Sequence, residues 1–179
     1  MLGATPKGRH IEQHDIFFVI AESINNVKPN IQAFWPEAED KIHIDAWREV
    51  TSVEGYQISI VEKQIGVAPS SKHKLFFVNL GGYQENKFEE QHYVLLTVKE
   101  DKSQAFKEAK QTLFYQHNHF EGATSHIDDK YGIDVDDLYQ IEDILSAEQK
   151  EKYRIDIVPA DGLAEDEFHL GYLNLSQLK

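Results

Sequence analysis

No cysteine occurs in this chain, so disulfides, thiolate nucleophiles, Cys-ligated zinc and iron–sulfur clusters are excluded together. Basic residues are scarce: 18 Lys and Arg stand against 31 Asp and Glu, a formal charge of −13. With no Lys/Arg-rich run to neutralise phosphates, nucleic acid is excluded as a partner, and the same acidity disfavours anionic membrane surfaces. Long apolar runs are missing too. The longest, Ile16 to Ala21, is far too short to cross a bilayer. No basic segment precedes an apolar stretch at the start, so no secretory signal is expected and a cytoplasmic location is. The Gly-x-Ser-x-Gly elbow, the Gly-x-Gly-x-x-Gly fingerprint and the Walker pattern are absent as well.

What is present is enough for a folded core, with 41% hydrophobic and 11% aromatic residues in a chain of 179. The chain also repeats itself. Leu2-Gly3 and Glu12-Gln13-His14 return as Leu80-Gly81 and Glu90-Gln91-His92, both 78 residues on. His43-Ile44-Asp45 returns as His126-Ile127-Asp128 after 83 residues, and Tyr56, Ile58, Ile60 and Val61 return as Tyr153, Ile155, Ile157 and Val158 after 97. Ordered matches with growing offsets point to tandem duplication.

The pattern within each copy predicts an α+β fold: a duplicated β-β-α-β-β unit with mainly antiparallel sheets and helices on one side. Repeat 1 spans 1–65, a linker 66–72, repeat 2 spans 73–158 with a 14-residue insertion, and a tail, 159–179, docks on the body. Lys74 to Leu80 and Tyr93 to Val98 read as strands of repeat 2, with a helix after Asp101 to Ser103, capped by Ser103 and carrying Phe106, Ala109, Leu113 and Phe114 on one face. Ile16 to Ile20 reads as the second strand of repeat 1, and Ile31, Phe34 and Trp35 as its helix stripe. Ser146 and Gln149 form a capping-box pattern within the insertion. A second register, Tyr56-Gln57-Ile58 on Tyr139-Gln140-Ile141, needs no insertion. Repeat 1 begins where its first strand should be ending, which implies either an upstream natural start or an exposed neighbouring edge inviting a homo-oligomer.

The run Leu2 to Asp15, with His43-Ile44-Asp45-Ala46-Trp47, Gly55-Tyr56 and, in the second copy, Val78 to Gly82 and Glu90-Gln91-His92, resembles a bacterial family known as domain of unknown function 1543. That resemblance implies identity without mechanism. It also implies a strand ahead of the Leu-Gly pair.

Each copy holds Glu-x-His (Glu12/His14 and Glu90/His92) and His-x-Asp (His43/Asp45 and His126/Asp128). Residues i and i+2 of a strand share a face, so each pair presents imidazole and carboxylate together, a nitrogen/oxygen set suited to a divalent metal. Arg9 and Lys87 stand at matching positions beside them, as candidate holders of an anionic ligand or partners of the adjacent Glu. Against convergence, His14 shares its face with Ile16 and Phe18, and His92 with Val94 and Leu96, so those faces read as core. His117 and His119 read as a solvated loop, and Asp128, Asp129, Asp134, Asp136 and Asp137 as an acidic edge without calcium-loop spacing. Two functions stay open: a non-catalytic module binding a small molecule or protein in a groove between the repeats, or a metal-dependent, hydrolase-like enzyme using the paired residues. Convergence of the pairs separates the two readings.

Overall fold

The run Lys-Leu-Phe-Phe-Val-Asn-Leu has apolar residues on both faces of its pleat, so it must be covered twice. In the computed structural model, which describes residues 1–83, 88–111 and 133–178, it becomes β6 (Lys74–Tyr83). One face of β6 sends Leu75 and Phe77 into a core with Val53, Ile58, Val98, Ile141 and Ile157. The other sends Val78 and Leu80 against Ala109. Its neighbours are β7 (Glu90–Lys99) and β8 (Ile133–Gln140), both antiparallel to it, in the order β7-β6-β8.

A second sheet has the order β10-β3-β1-β2, from β1 (Leu2–Ala4), β2 (Gln13–Asp15), β3 (His43–Trp47) and β10 (His169–Asn174). Thus β1 lies between β2 and β3 as β6 lies between β7 and β8. The segment near the C-terminus covers the outer edge of β3, which removes that edge from solvent. The third sheet joins the two halves of the chain: β4 (Ser52–Val53), β5 (Tyr56–Glu62) and β9 (Tyr153–Pro159), ordered β4-β5-β9.

Four α-helices are described, with short 3₁₀ turns between elements. Helix α1 (Lys28–Phe34) buries Ile31 among Leu2, Ala4, Ile42 and Ile44, a core beneath the β1–β3 sheet. Helix α2 (Lys102–Ala109) lies on β6, β7 and β8. Asp101, not Ser103, caps it, accepting from the Gln104 N–H at 2.9 Å. Its buried face is Ala105 and Ala109; Phe106 is on the outer side, under the Lys110 ammonium. Leu113 and Phe114 lie outside the described residues. Helices α3 (Ile141–Ile144) and α4 (Ala147–Lys152) lead into β9, and Ser146 caps α4 by accepting from the Gln149 N–H. The architecture is α+β with antiparallel sheets. No helix among the described residues is long and apolar enough to cross a membrane.

The expected strand Ile16–Ile20 is not regular strand; β2 spans Gln13–Asp15, with Asp15 opposite Leu2, the first residue of β1. The segment instead threads between two cores. Ile16 and Phe18 join the core under β6, while Phe17 and Val19 join the core under β1. Its backbone finds other partners: the Ile16 N–H donates to Asp15 Oδ1 at 2.6 Å, and Ile20 exchanges two hydrogen bonds with the Gln149 side-chain amide. Gln149 therefore reaches across to the first half rather than completing a capping box.

Candidate metal centre

Leu2 and Ala4 both enter the core, so Gly3 between them presents the opposite face of β1. Directly across from Gly3 stand His14 on β2 and His43 on β3. Residues directly opposite share a face, so both imidazoles rise over the one position in β1 that has no side chain. Glu12, two residues before His14, and Asp45, two residues after His43, complete the set on the same side.

The four side chains meet in a closed ring. His43 Nε2 lies 3.1 Å from Glu12 Oε1 and 3.2 Å from Asp45 Oδ1. His14 Nε2 lies 3.5 Å from both Glu12 Oε2 and Asp45 Oδ2. A metal with bonds near 2.0–2.1 Å in tetrahedral geometry separates its ligand atoms by about 3.3–3.4 Å. The four edges of the ring bracket that value. Among the described residues, however, only Glu90, His92 and Asp136 bring three ligand atoms within 4.8 Å of one another, so this ring is wider across its diagonals than a tetrahedral site and must close to hold an ion. No bulge was needed for convergence, because the bare strand between β2 and β3 supplies the room.

Two details bear on what fills the ring. The ring nitrogen His43 Nδ1 is 3.4 Å from the Lys41 carbonyl, a long contact that can form only with Nδ1 as the donor. Nε2 then faces two carboxylate oxygens, an arrangement that suits either an Nε2–H donating to them or a cation held among all three. Asp45 Oδ2 is buried without a hydrogen-bond partner. Moreover, a Cβ on Gly3 would fall 2.5 Å from Asp45 Oδ2 and 2.6 Å from His43 Nε2, so only glycine leaves the ring intact.

Access is uneven. The His43 side chain is 8% exposed, under the stacked ring of Tyr172 at 4.3 Å, whereas His14 and Glu12 are nearly half exposed. Tyr172 reaches His43 because β10 shifts register between Leu170 and Leu173, around Gly171 at φ 121°. Trp47 makes a parallel stack with His169 one pair further along. Tyr172 was not among the residues the sequence singled out, since it belongs to no repeated motif.

In the β7-β6-β8 sheet, Gly81 is flanked by His92 and Asp134, as Gly3 is by His14 and His43. Glu90 and Asp136 complete this group. Their ligand atoms and that of His92 lie within 4.8 Å of one another. His92 Nε2 is 3.6 Å from Asp136 Oδ2 and 3.8 Å from Glu90 Oε2. A Cβ on Gly81 would meet the Asp136 and Glu90 carboxylates, each at under 3 Å. Asp136 sits where β8 shifts register against β6, a bulge of the kind that re-aims a side chain. Further along β8, the Asp137 carboxylate faces the Tyr139 hydroxyl, and its charge, then their hydrogen bond, holds that phenol above its ordinary value.

His126, Asp128, His117, His119, Asp129 and Lys87 lie outside the described residues. Arg9 is exposed in the loop before β2 and is not one of the residues brought together. The strand position opposite Gly81, matching His43, is held by Asp134, and the residue two further on is Asp136. Asp136, which the sequence presents as part of an acidic edge, is brought to this group by the register of β8.

Residues 9–60 match the family model described as Domain of Unknown Function (DUF1543), in agreement with the resemblance drawn from the sequence. All four residues of the Gly3 ring fall inside that match. The chain is also similar to a solved structure, the crystal structure of a protein Il1583 from Idiomarina loihiensis. The two share 20% identity and a TM-score of 0.55, over 97% of this chain and 93% of that one. At this identity the likeness speaks to fold alone. No curated protein matches the chain.

Proposed function

We propose that this protein is a divalent-metal-binding protein, built by internal duplication, whose principal site is the ring of Glu12, His14, His43 and Asp45 over Gly3. The observation that carries the reading is the convergence of two imidazoles and two carboxylates over Gly3, with His43 Nε2 at 3.1 and 3.2 Å from two carboxylate oxygens and no room there for a Cβ. Two imidazoles and two carboxylates suit zinc, manganese or iron. Duplication is supported by the shared order β2-β1-β3 and β7-β6-β8. It is also supported by the β5–β9 ladder, in which Ile58 pairs with Ile157 and Ile60 with Ile155. An offset of 97 residues exchanges those two pairs, so the ladder turns about Ser59 and Asp156 like a two-fold axis.

The groove-binding alternative has less behind it. The larger recess described, about 470 Å³, is lined by Arg48, Ser52, Glu54 and the loop Ala160 to Asp166, and none of the repeated residues lines it. A catalytic role is favoured by one observation, the half-exposed His14 and Glu12 side of the ring. Catalysis would need one of the four side chains to stay off the metal, leaving that position for a bound water as hydrolytic nucleophile, and the exposed Glu12 is placed to do so.

Metal analysis of chelator-treated, untagged protein after reconstitution with Zn²⁺, Mn²⁺ or Fe²⁺ tests the proposal. Stoichiometric uptake of one of these ions, lost in His14→Gln, is expected. Because the His14 side chain is 46% exposed, that variant should fold as the parent does, which circular dichroism checks. No uptake of any of the three, or equal uptake by the variant, would overturn the proposal.

A further inference from the structure

The two glycine cradles are not chemically equal. The first offers two imidazoles and two carboxylates. Among the described residues the second offers one imidazole, His92, with Glu90 and Asp136, and the strand position of His43 is taken by Asp134. It is also the more open: the His92, Glu90 and Asp136 side chains are 51%, 35% and 29% exposed, against 8% for His43. Its contacts of 3.6 and 3.8 Å are longer than any in the first ring.

We propose that Glu90, His92 and Asp136 form a second divalent-cation site, weaker and harder in preference than the first, whose ion keeps water among its ligands. Among the described residues three side chains supply ligand atoms, fewer than a divalent ion takes, and all three are partly exposed to solvent. Oxygen-rich sets with one imidazole favour manganese or magnesium over the metals that imidazole-rich sets select. The bulge at Asp136 and the missing side chain at Gly81 are the devices that let the carboxylates approach. The proposal extends the metal-binding reading to a second position and rests on it for the class of ion, while its geometry is independent.

The duplication then divides the labour. The first site, with its buried imidazole, retains its ion; the second exchanges its ion and water, and is the one open to an incoming anionic ligand such as a carboxylate or phosphate.

Manganese is the probe, because free Mn²⁺ gives an electron paramagnetic resonance signal that is lost on binding. Protein first loaded with one equivalent of Zn²⁺ is titrated with Mn²⁺, beside Asp136→Asn and Gly81→Ala. The expected result is one Mn²⁺ bound by the Zn²⁺-loaded parent, with dissociation constants raised at least about tenfold in both variants and Zn²⁺ content unchanged. Failure of the Zn²⁺-loaded parent to bind Mn²⁺, or equal binding by Asp136→Asn, would overturn the second site and leave the first standing. If Zn²⁺ is not retained but Mn²⁺ binds and is lost in Asp136→Asn, the first site fails and the second holds. Binding of neither ion defeats both.

Discussion

Gly3 is the residue on which the first site turns. Its backbone is in a strand, where alanine is normally the more favourable choice by roughly 0.5–1 kcal/mol. The substitution Gly3→Ala should therefore cost little in backbone terms, yet it places a methyl group 2.5 Å from Asp45 Oδ2 and 2.6 Å from His43 Nε2. Asp45 can swing outward, but His43 is held between Tyr172 and the Lys41 carbonyl. We expect metal affinity to fall by more than about tenfold, or about 1.4 kcal/mol, while the metal-free protein melts within a few degrees of the parent. Competition against a chromogenic chelator measures the first quantity and calorimetry of the apo-protein the second. An apo-protein that fails to fold would mean that the glycine serves packing instead. The residues of this site were legible in the sequence because both copies keep Glu-x-His after a Leu-Gly pair. That Gly3 is what lets them meet was not legible, since a glycine ending a strand reads as a turn until its two neighbours are known.

Elements were readable where their periodicity had a local cause and misread where a distant partner decided. β6 announced itself by an apolar run covered on both faces. Ile16–Ile20, equally apolar, makes no ladder, and Gln149 from the other half bonds both backbone groups of Ile20. Nothing local to either segment encodes that exchange. The β4–β5 hairpin shows the same dependence. Its two loop residues, Glu54 and Gly55, both have positive φ, at 51° and 78°, as a two-residue primed turn demands. Glu54 tolerates a region unusual for a non-glycine residue because its carboxylate is anchored. It accepts from the Thr97 hydroxyl at 3.0 Å and the Val98 N–H at 3.1 Å, and pairs with Lys99 Nζ at 2.9 Å, fastening the hairpin to β7. Thr97 is fully buried, so Glu54→Ala strands its hydroxyl without this acceptor. The expected loss is about 2 kcal/mol by urea denaturation, against less than about 1 kcal/mol for Glu54→Gln, which keeps an oxygen acceptor and loses the charge. Equal losses in the two variants would place the stabilisation in the charge rather than in the hydrogen bonds.

At the scale of the molecule, the question is whether the two halves fold separately. The sequence presents them as repeats joined by a Gly-, Pro- and Ser-rich linker, which suggests two bodies on a string. The ladder between β5 and β9 argues otherwise, because each half gives its last strand to a sheet shared with the other. The core beneath it draws Val53 and Ile58 from the first half and Leu75, Phe77, Val98, Ile141 and Ile157 from the second. Ile16 and Phe18 enter that core while Phe17 and Val19, their immediate neighbours, enter the other, so disturbance of one is passed along the same few residues to the other. Both tryptophans, Trp35 and Trp47, lie in the first half and pack on the first core, which also takes Leu175 and Leu178 from the C-terminal segment, so their fluorescence reports on that core. Ile157, 2% exposed in the second half, is the place to strike. Ile157→Ala should destabilise by about 3 kcal/mol, equivalent to roughly 6–12 °C in a chain of this size. If the halves share one cooperative unit, tryptophan fluorescence and far-ultraviolet circular dichroism will shift together and by the same amount. A fluorescence transition left in place while the dichroism transition moves would show that the first half folds on its own and that the shared sheet is a docking contact. The common shift is the outcome the structure calls for, since a half that surrendered β5 would leave Val53 and Ile58 in water.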